Sequence, residues 1–177
     1  VIGESHEEPD ENELKHIEGI LQRAIKEVDG FRVVEGKALE ADLLQRVGNI
    51  ENYAAQLKEE DKRRVTEIRN RLKNNLDTFI QKDKIDQNRF EQEVIYYIEK
   101  LDINEELTRL KSHCDYLRNI LNTEDELKGR KLNFIAQEMG REINTIGSKS
   151  NSGELQKLVV LMKEQLEKIK EQLNNIL

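Results

Sequence analysis

The chain has 177 residues, 37% of them charged, with one Pro, no Trp and a formal net charge of −7. That length bounds it to one domain or two small ones, and the high charge with few aromatics points to long helices. The acidic balance argues against a generic, sequence-independent nucleic-acid binder, which would be basic, so any polyanion must meet a local basic patch or be held with help from elsewhere.

Cys114 is the single cysteine. It cannot form an internal disulfide, and a reducing, cytoplasmic setting is the expectation. No signal peptide is visible, and no apolar run approaches the ~20 residues of a membrane span, so no membrane partner is expected.

In chain order, residues 1–10 read as a frayed acidic lead-in. From Asp10 the spacing of Leu14, Ile17, Leu21, Ile25 and Val28 predicts a helix with one apolar face. Gly30 is a candidate interruption, and FRVV (31–34) a candidate short strand. Leu43, Val47, Ile50, Ala54 and Leu57 alternate by four and three, a heptad seam. A turn is allowed at Lys58–Asp61. Val65, Ile68, Leu72, Leu76 and Phe79 continue as a helix rich in Arg and Lys. Asp83–Asp86 reads as a connection, with Asp86 able to cap the helix that Phe90, Val94, Tyr97 and Leu101 would line.

Three capping signals divide the remainder, namely Asp102 with Glu105, Thr123 with Glu126 and Asn151 with Glu154. Between them lie three helices. Ile103, Leu107, Leu110, Cys114, Leu117 and Leu121 line the first. Leu132, Ile135, Met139, Ile143 and Ile146 line the second. The third carries Leu155, Val159, Met162, Leu166, Ile169, Leu173 and Ile176. The fold class is therefore all-α, expected as elongated antiparallel long helices with coiled-coil-like seams. Residues 1–101 would form a helical arm region and 102–177 a three-helix domain. Long exposed seams favour self-association.

The middle helix has an unusual polar side. Gln137, Arg141, Asn144 and Ser148 form one stripe; Glu138, Glu142, Thr145 and Lys149 form the next. Short hydroxyl and amide side chains, with Gly140 and Gly147, are poor helix formers, each Gly costing about 1 kcal/mol relative to Ala. Together they read as a surface that holds a polar ligand. Phe134 is expected toward the core, and Tyr96 and Tyr97 are the candidates for base stacking. Met139 and Met162 read as core fillers.

GRKLNFIAQEMGREINTIGSKS, starting at Gly129, resembles the C-terminal signature of the YicC family of bacterial proteins. DINEELTRLKSH (102–113) resembles a second family motif, D-[IV]-x-E-E-L-x-R-L-x-[SA]-H, and EGKALEADLL (35–44) matches more loosely. Asn133 stands where the family usually has Asp, and Gly140 where it has Asn. The resemblance implies a metal-dependent endoribonuclease acting in small-RNA turnover and stress response, assembled as a homo-oligomer, with a hexamer among the assemblies it allows. It also implies a sizeable domain upstream of Val1.

The residues themselves suggest how such chemistry would be carried. Cleavage through the 2′-hydroxyl needs a base, an acid and charge stabilisation at phosphorus. Glu106, His113 and Arg109 share one helix flank and can fill those roles; the same spacing also describes an ion-paired flank with a surface histidine. Glu138 and Glu142 are an i,i+4 carboxylate pair suited to Mg²⁺ or Mn²⁺ as well as to ion pairing with Arg141 and Lys149. Arg109, Arg130, Lys131, Arg141, Asn144, Ser148 and Lys149 are candidates for contacts to RNA phosphate and 2′-hydroxyl groups. They equally describe a solvated face. The alternative function is a non-enzymatic oligomerisation or adaptor scaffold. No HExxH, CxxC, P-loop or dinucleotide-binding glycine motif is present, so zinc hydrolase, NTPase and dehydrogenase chemistry have no support.

Overall fold

The computed structural model describes residues 10–79, 87–123 and 128–174, and every regular element among them is an α-helix. In order these are α1 (Glu11–Phe79), α2 (Gln87–Leu101), α3 (Asn104–Leu121), α4 (Lys128–Lys149) and α5 (Gly153–Leu173). The all-α expectation holds.

Three expected interruptions are absent. Gly30 and the FRVV segment lie inside α1. A strand there would need a partner strand, whereas a single Gly costs a long helix only about 1 kcal/mol. Lys58–Asp61 is helical too. Successive i,i+3 ion pairs, Lys62–Glu59, Arg63–Glu60 and Arg64–Asp61, stitch that turn. The lead-in up to residue 9, the Asp83–Asp86 connection and Glu126 of the Thr123 signal lie outside the described residues.

The chain divides into two compact units, Val1–Ala41 and Asp42–Leu177. The described part of the first is helical, and its predicted face is exposed at Leu14, Ile17, Leu21, Ile25 and Val28. The second unit holds the core. Leu43, Val47, Ile50 and Leu57 supply it from α1, and Leu110, Cys114, Leu117 and Leu121 from α3. Leu132, Ile135, Met139, Ile143 and Ile146 of α4 are fully covered, as are Leu155, Val159, Met162, Leu166, Ile169 and Leu173 of α5. Each large apolar side chain so removed from water contributes about 1.5–3 kcal/mol.

Helices α3, α4 and α5 form successive antiparallel hairpins. Gly140 and Gly147, one heptad apart, let α4 lie close to α5. A Cβ at Gly140 would stand 3.3 Å from Leu166 Cδ2, and one at Gly147 only 3.1 Å from Val159 Cγ1. This corrects the sequence reading of these glycines. They serve helix packing, since a side chain at either position would press on α5, harder at Gly147 than at Gly140.

The caps also differ from expectation. Ser152, not Asn151, is the N-cap of α5, its hydroxyl accepting from Leu155 N at 3.3 Å. Helix α3 has Ile103 at its N-cap without a side-chain bond, while Asp102 Oδ1 accepts from the Asn104 amide at 3.3 Å. Asn151 Oδ1 instead accepts from Arg64 at 3.4 Å.

Arg64 is buried and is the node of the unit. Its guanidinium pairs with Asp61 and donates to the carbonyls of Leu101 and Lys149, each at 2.9 Å. Those are the last residues of α2 and α4, whose final carbonyls have no partner within their own helices. One side chain from α1 thus caps two helices. Two lysines close the α3/α4 hairpin. Lys128 Nζ donates to the Leu121 carbonyl and, at 3.3 Å, to that of Thr123. At the other end Lys149 Nζ donates to the Asp102 carbonyl and to Glu106 Oε1, both at 2.8 Å.

Candidate functional site

The two motif segments meet along one edge of the α3/α4 hairpin. On α3, Glu105, Arg109 and His113 recur at spacings of four. On α4, Glu138 and Glu142 do the same. Arg109 joins the rows, with Nη2 at 3.0 Å from Glu105 Oε1 and Nε at 3.5 Å from Glu142 Oε2. Since the helices are antiparallel, that rung brings His113 level with Glu138. Glu138 in turn pairs with Arg141 at 2.8 Å. The two carboxylates are largely covered, with 19% of the Glu138 side chain and 12% of Glu142 exposed, while both guanidiniums reach solvent. His113 is half-buried and makes no side-chain hydrogen bond with the described residues.

An imidazole with no hydrogen-bond partner among the described residues, a carboxylate at its level and a guanidinium on each carboxylate line one edge as an acid–base and charge array. Of the candidate catalytic residues, the edge assembles His113, Glu138 and Glu142. It does not present Glu106. That carboxylate is buried and engaged by Lys149 at 2.8 Å, which ties the start of α3 to the end of α4. Lys149 is occupied there too, as a staple between helices.

The other candidate RNA contacts lie on α4. Arg141 shares the edge. Arg130 and Lys131 are exposed at the opposite end of the hairpin. Asn144 and Ser148 are exposed on the stripe turned away from α3, and Ser148 Oγ donates to the Thr145 carbonyl of its own helix at 2.8 Å. The polar side of α4 therefore splits. The Glu138–Glu142 stripe faces α3, and the Asn144–Ser148 stripe faces solvent.

Phe134 is exposed, contrary to expectation. It lies two residues past Leu132, about 200° around the helix, so it cannot share the core face. Tyr116 is also exposed, on the Arg109 side of α3, and no sequence motif marked it.

Glu138 and Glu142 offer two hard oxygen donors on one helix edge. Among the described residues no group of three or more His, Cys, Asp or Glu side chains could hold a metal. Two carboxylates suit Mg²⁺ or Mn²⁺ only where water and a substrate phosphate complete the shell.

The C-terminal domain model described as endoribonuclease YicC-like matches residues 57–177. A protein of Clostridioides difficile named probable endoribonuclease YicC is 38% identical over 157 residues, which cover 88% of this chain and 53% of that relative. One of Haemophilus influenzae with the same name is 39% identical over 92 residues, 52% of this chain and 32% of the relative. The chain spans about half the length of the first relative and about a third of the second. With its two signature segments brought onto one edge and the family model covering most of its length, this chain belongs to the YicC-like family.

Proposed function

We propose that the α3/α4 edge is the working part of an endoribonuclease that cuts RNA through attack of the 2′-hydroxyl on phosphorus. The step forms a 2′,3′-cyclic phosphate on one product and breaks the bond to the 5′-oxygen, which leaves on the other product with a proton from water. The observation that carries this reading is the 3.5 Å rung between Arg109 and Glu142, a register in which His113 and Glu138 share one level of the antiparallel pair. The relatives' names supply the activity, endoribonuclease; the edge supplies groups able to perform it.

His113 is suited to take the 2′-hydroxyl proton, because its imidazole makes no side-chain hydrogen bond with the described residues and a neutral ring carries one nitrogen able to accept a proton. Glu138 orients that ring or its water. Arg109 and Arg141 offset the charge that grows on the phosphorane oxygens. A divalent cation arriving with the substrate would be held by Glu138 and Glu142 and would polarise a phosphate oxygen. Its binding would require Arg109 and Arg141 to turn from the carboxylates to the phosphate.

The test is cleavage of a structured RNA by the full-length protein, with ends mapped. His113→Ala should lower kcat by about 10²–10⁴-fold, the usual weight of a general base. Glu138→Ala with Glu142→Ala should abolish cleavage while the circular dichroism stays helical. EDTA should stop the reaction and Mn²⁺ restore it. Wild-type cleavage by either variant would remove the edge from the chemistry.

A role in small-RNA turnover under stress, in the cytoplasm, fits this reading. No helix among the described residues is long and apolar enough to cross a membrane. A homo-oligomer is the second part of the proposal, supported by the exposed apolar face of α1 from Leu14 to Val28. That same face is what favours the scaffold function as an alternative.

A further inference from the structure

Tyr116 and Phe134 stand exposed by 53% and 61% on the outer side of the α3/α4 hairpin. Scattered surface aromatics need no explanation. These two are not scattered. Tyr116 is seven residues beyond Arg109, two turns along, and so points in nearly the same direction from α3. Phe134 is four residues before Glu138 and occupies the neighbouring position on α4. The register fixed by the Arg109–Glu142 rung brings Tyr116 to within one residue of the level of Phe134. Both rings therefore flank the same stretch of the edge, one from each helix. They lie about 11 Å from the Arg109–Glu142 rung at 1.5 Å per residue, with the His113–Glu138 level between.

The surroundings of the rings decide what they fit. Glu138 lies one helical turn from Phe134, and Arg141 and Arg109 lie two turns from Phe134 and Tyr116 respectively, so the pair is not the centre of an apolar patch such as a protein partner would need. Two π-faces with guanidinium groups about 11 Å further along suit a nucleic-acid strand, whose bases stack on rings while cations along the same edge meet its phosphates. A duplex keeps its bases stacked on each other and offers no free face to a protein ring.

We propose that Tyr116 and Phe134 form a stacking platform for unpaired bases of single-stranded RNA, which sets the adjoining backbone over His113 and Glu138. This inference rests on the ribonuclease reading of the same edge and adds the substrate class to it. The rings act as positioning residues, holding the strand without entering the proton transfers.

The test uses full-length protein and one RNA sequence carrying 2-aminopurine, presented single-stranded and as a duplex. Wild type should bind the single strand more tightly and quench its fluorescence. Tyr116→Leu and Phe134→Leu keep bulk but remove the π-face. Each should weaken single-strand binding roughly 5- to 100-fold, abolish the quench and raise KM more than it lowers kcat. Phe134→Tyr should restore both signals, and His113→Ala should keep them while losing cleavage. If the leucine variants bind and quench like a cleaving wild type, the platform is wrong and the ribonuclease reading stands. If wild type neither binds nor cleaves RNA, both fall. Lost binding that coincides with a change of molar mass in sedimentation would make the rings a subunit interface and overturn the platform.

Discussion

Arg64 shows what one side chain can hold together. Its hydrogen bonds reach Leu101 and Lys149, respectively 37 and 85 positions away in sequence. Replacing it by Met keeps the bulk but leaves Asp61 buried without its cation and two helix ends without a donor. Breaking a buried pair in this way costs about 3–5 kcal/mol, so R64M should show that loss in urea denaturation. A cost under 1 kcal/mol would mean that water takes the place of the guanidinium. Cys114 makes a gentler case. Burial, reinforced by the nearby Glu51 carboxylate, pushes its thiol up to about 12. The thiolate is the reactive form, so native protein at pH 8 should resist iodoacetamide and react only once unfolded. Neither fact was visible in the sequence beyond the burial of Cys114, which the Leu110–Leu117 spacing gave directly. Arg64 looked like one more cation in a basic helix, because nothing local announces a partner 85 positions away. Phe134 was readable in principle; its bearing from Leu132 already placed it off the core, but its apolar neighbours drew attention the other way.

At the scale of the element, α4 is where expectation and structure differ most. Its apolar face was legible in full, since Leu132, Ile135, Met139, Ile143 and Ile146 follow helical periodicity. Its glycines were not, because periodicity reports a face and never the distance to the helix packed on it. The two sites should now behave differently. Gly147→Ala gains helix propensity, about 1 kcal/mol, but drives a methyl against stiff, β-branched Val159. Overpacking of this kind costs about 1–3 kcal/mol, so G147A should lower the melting temperature. Gly140→Ala faces the end of the longer Leu166 chain, which can turn aside, so it should be neutral or mildly stabilising. A rise in melting temperature for G147A would show that α5 shifts freely over α4. The candidate site divides along the same line. Glu138 and Glu142 were found by i,i+4 spacing and do face α3; Asn144 and Ser148, found by composition, face solvent. Glu106 and Lys149 have helix-tying work that spacing within one helix could not reveal.

For the molecule as a whole, the unit up to Ala41 carries an exposed apolar face. Leu14, Ile17, Leu21, Ile25 and Val28 would each contribute about 1.5–3 kcal/mol if fully buried against a neighbour. Sedimentation should therefore report concentration-dependent assembly. Leu21→Glu with Ile25→Glu should shift the mass downward while the core unit keeps its melting temperature. An unchanged mass would take this face out of the oligomer proposal.

The hairpin that carries the candidate site is fastened at both ends, by Lys128 at its turn and by Lys149 at its mouth. Both fastenings oppose a tweezer-like opening to admit a bulky guest. Whatever settles on that edge has to mould itself to a fixed rail, with ring, imidazole and guanidinium at set intervals. Recognition would then be a matter of suppleness in the guest, with slack strands admitted and stiff ones turned away.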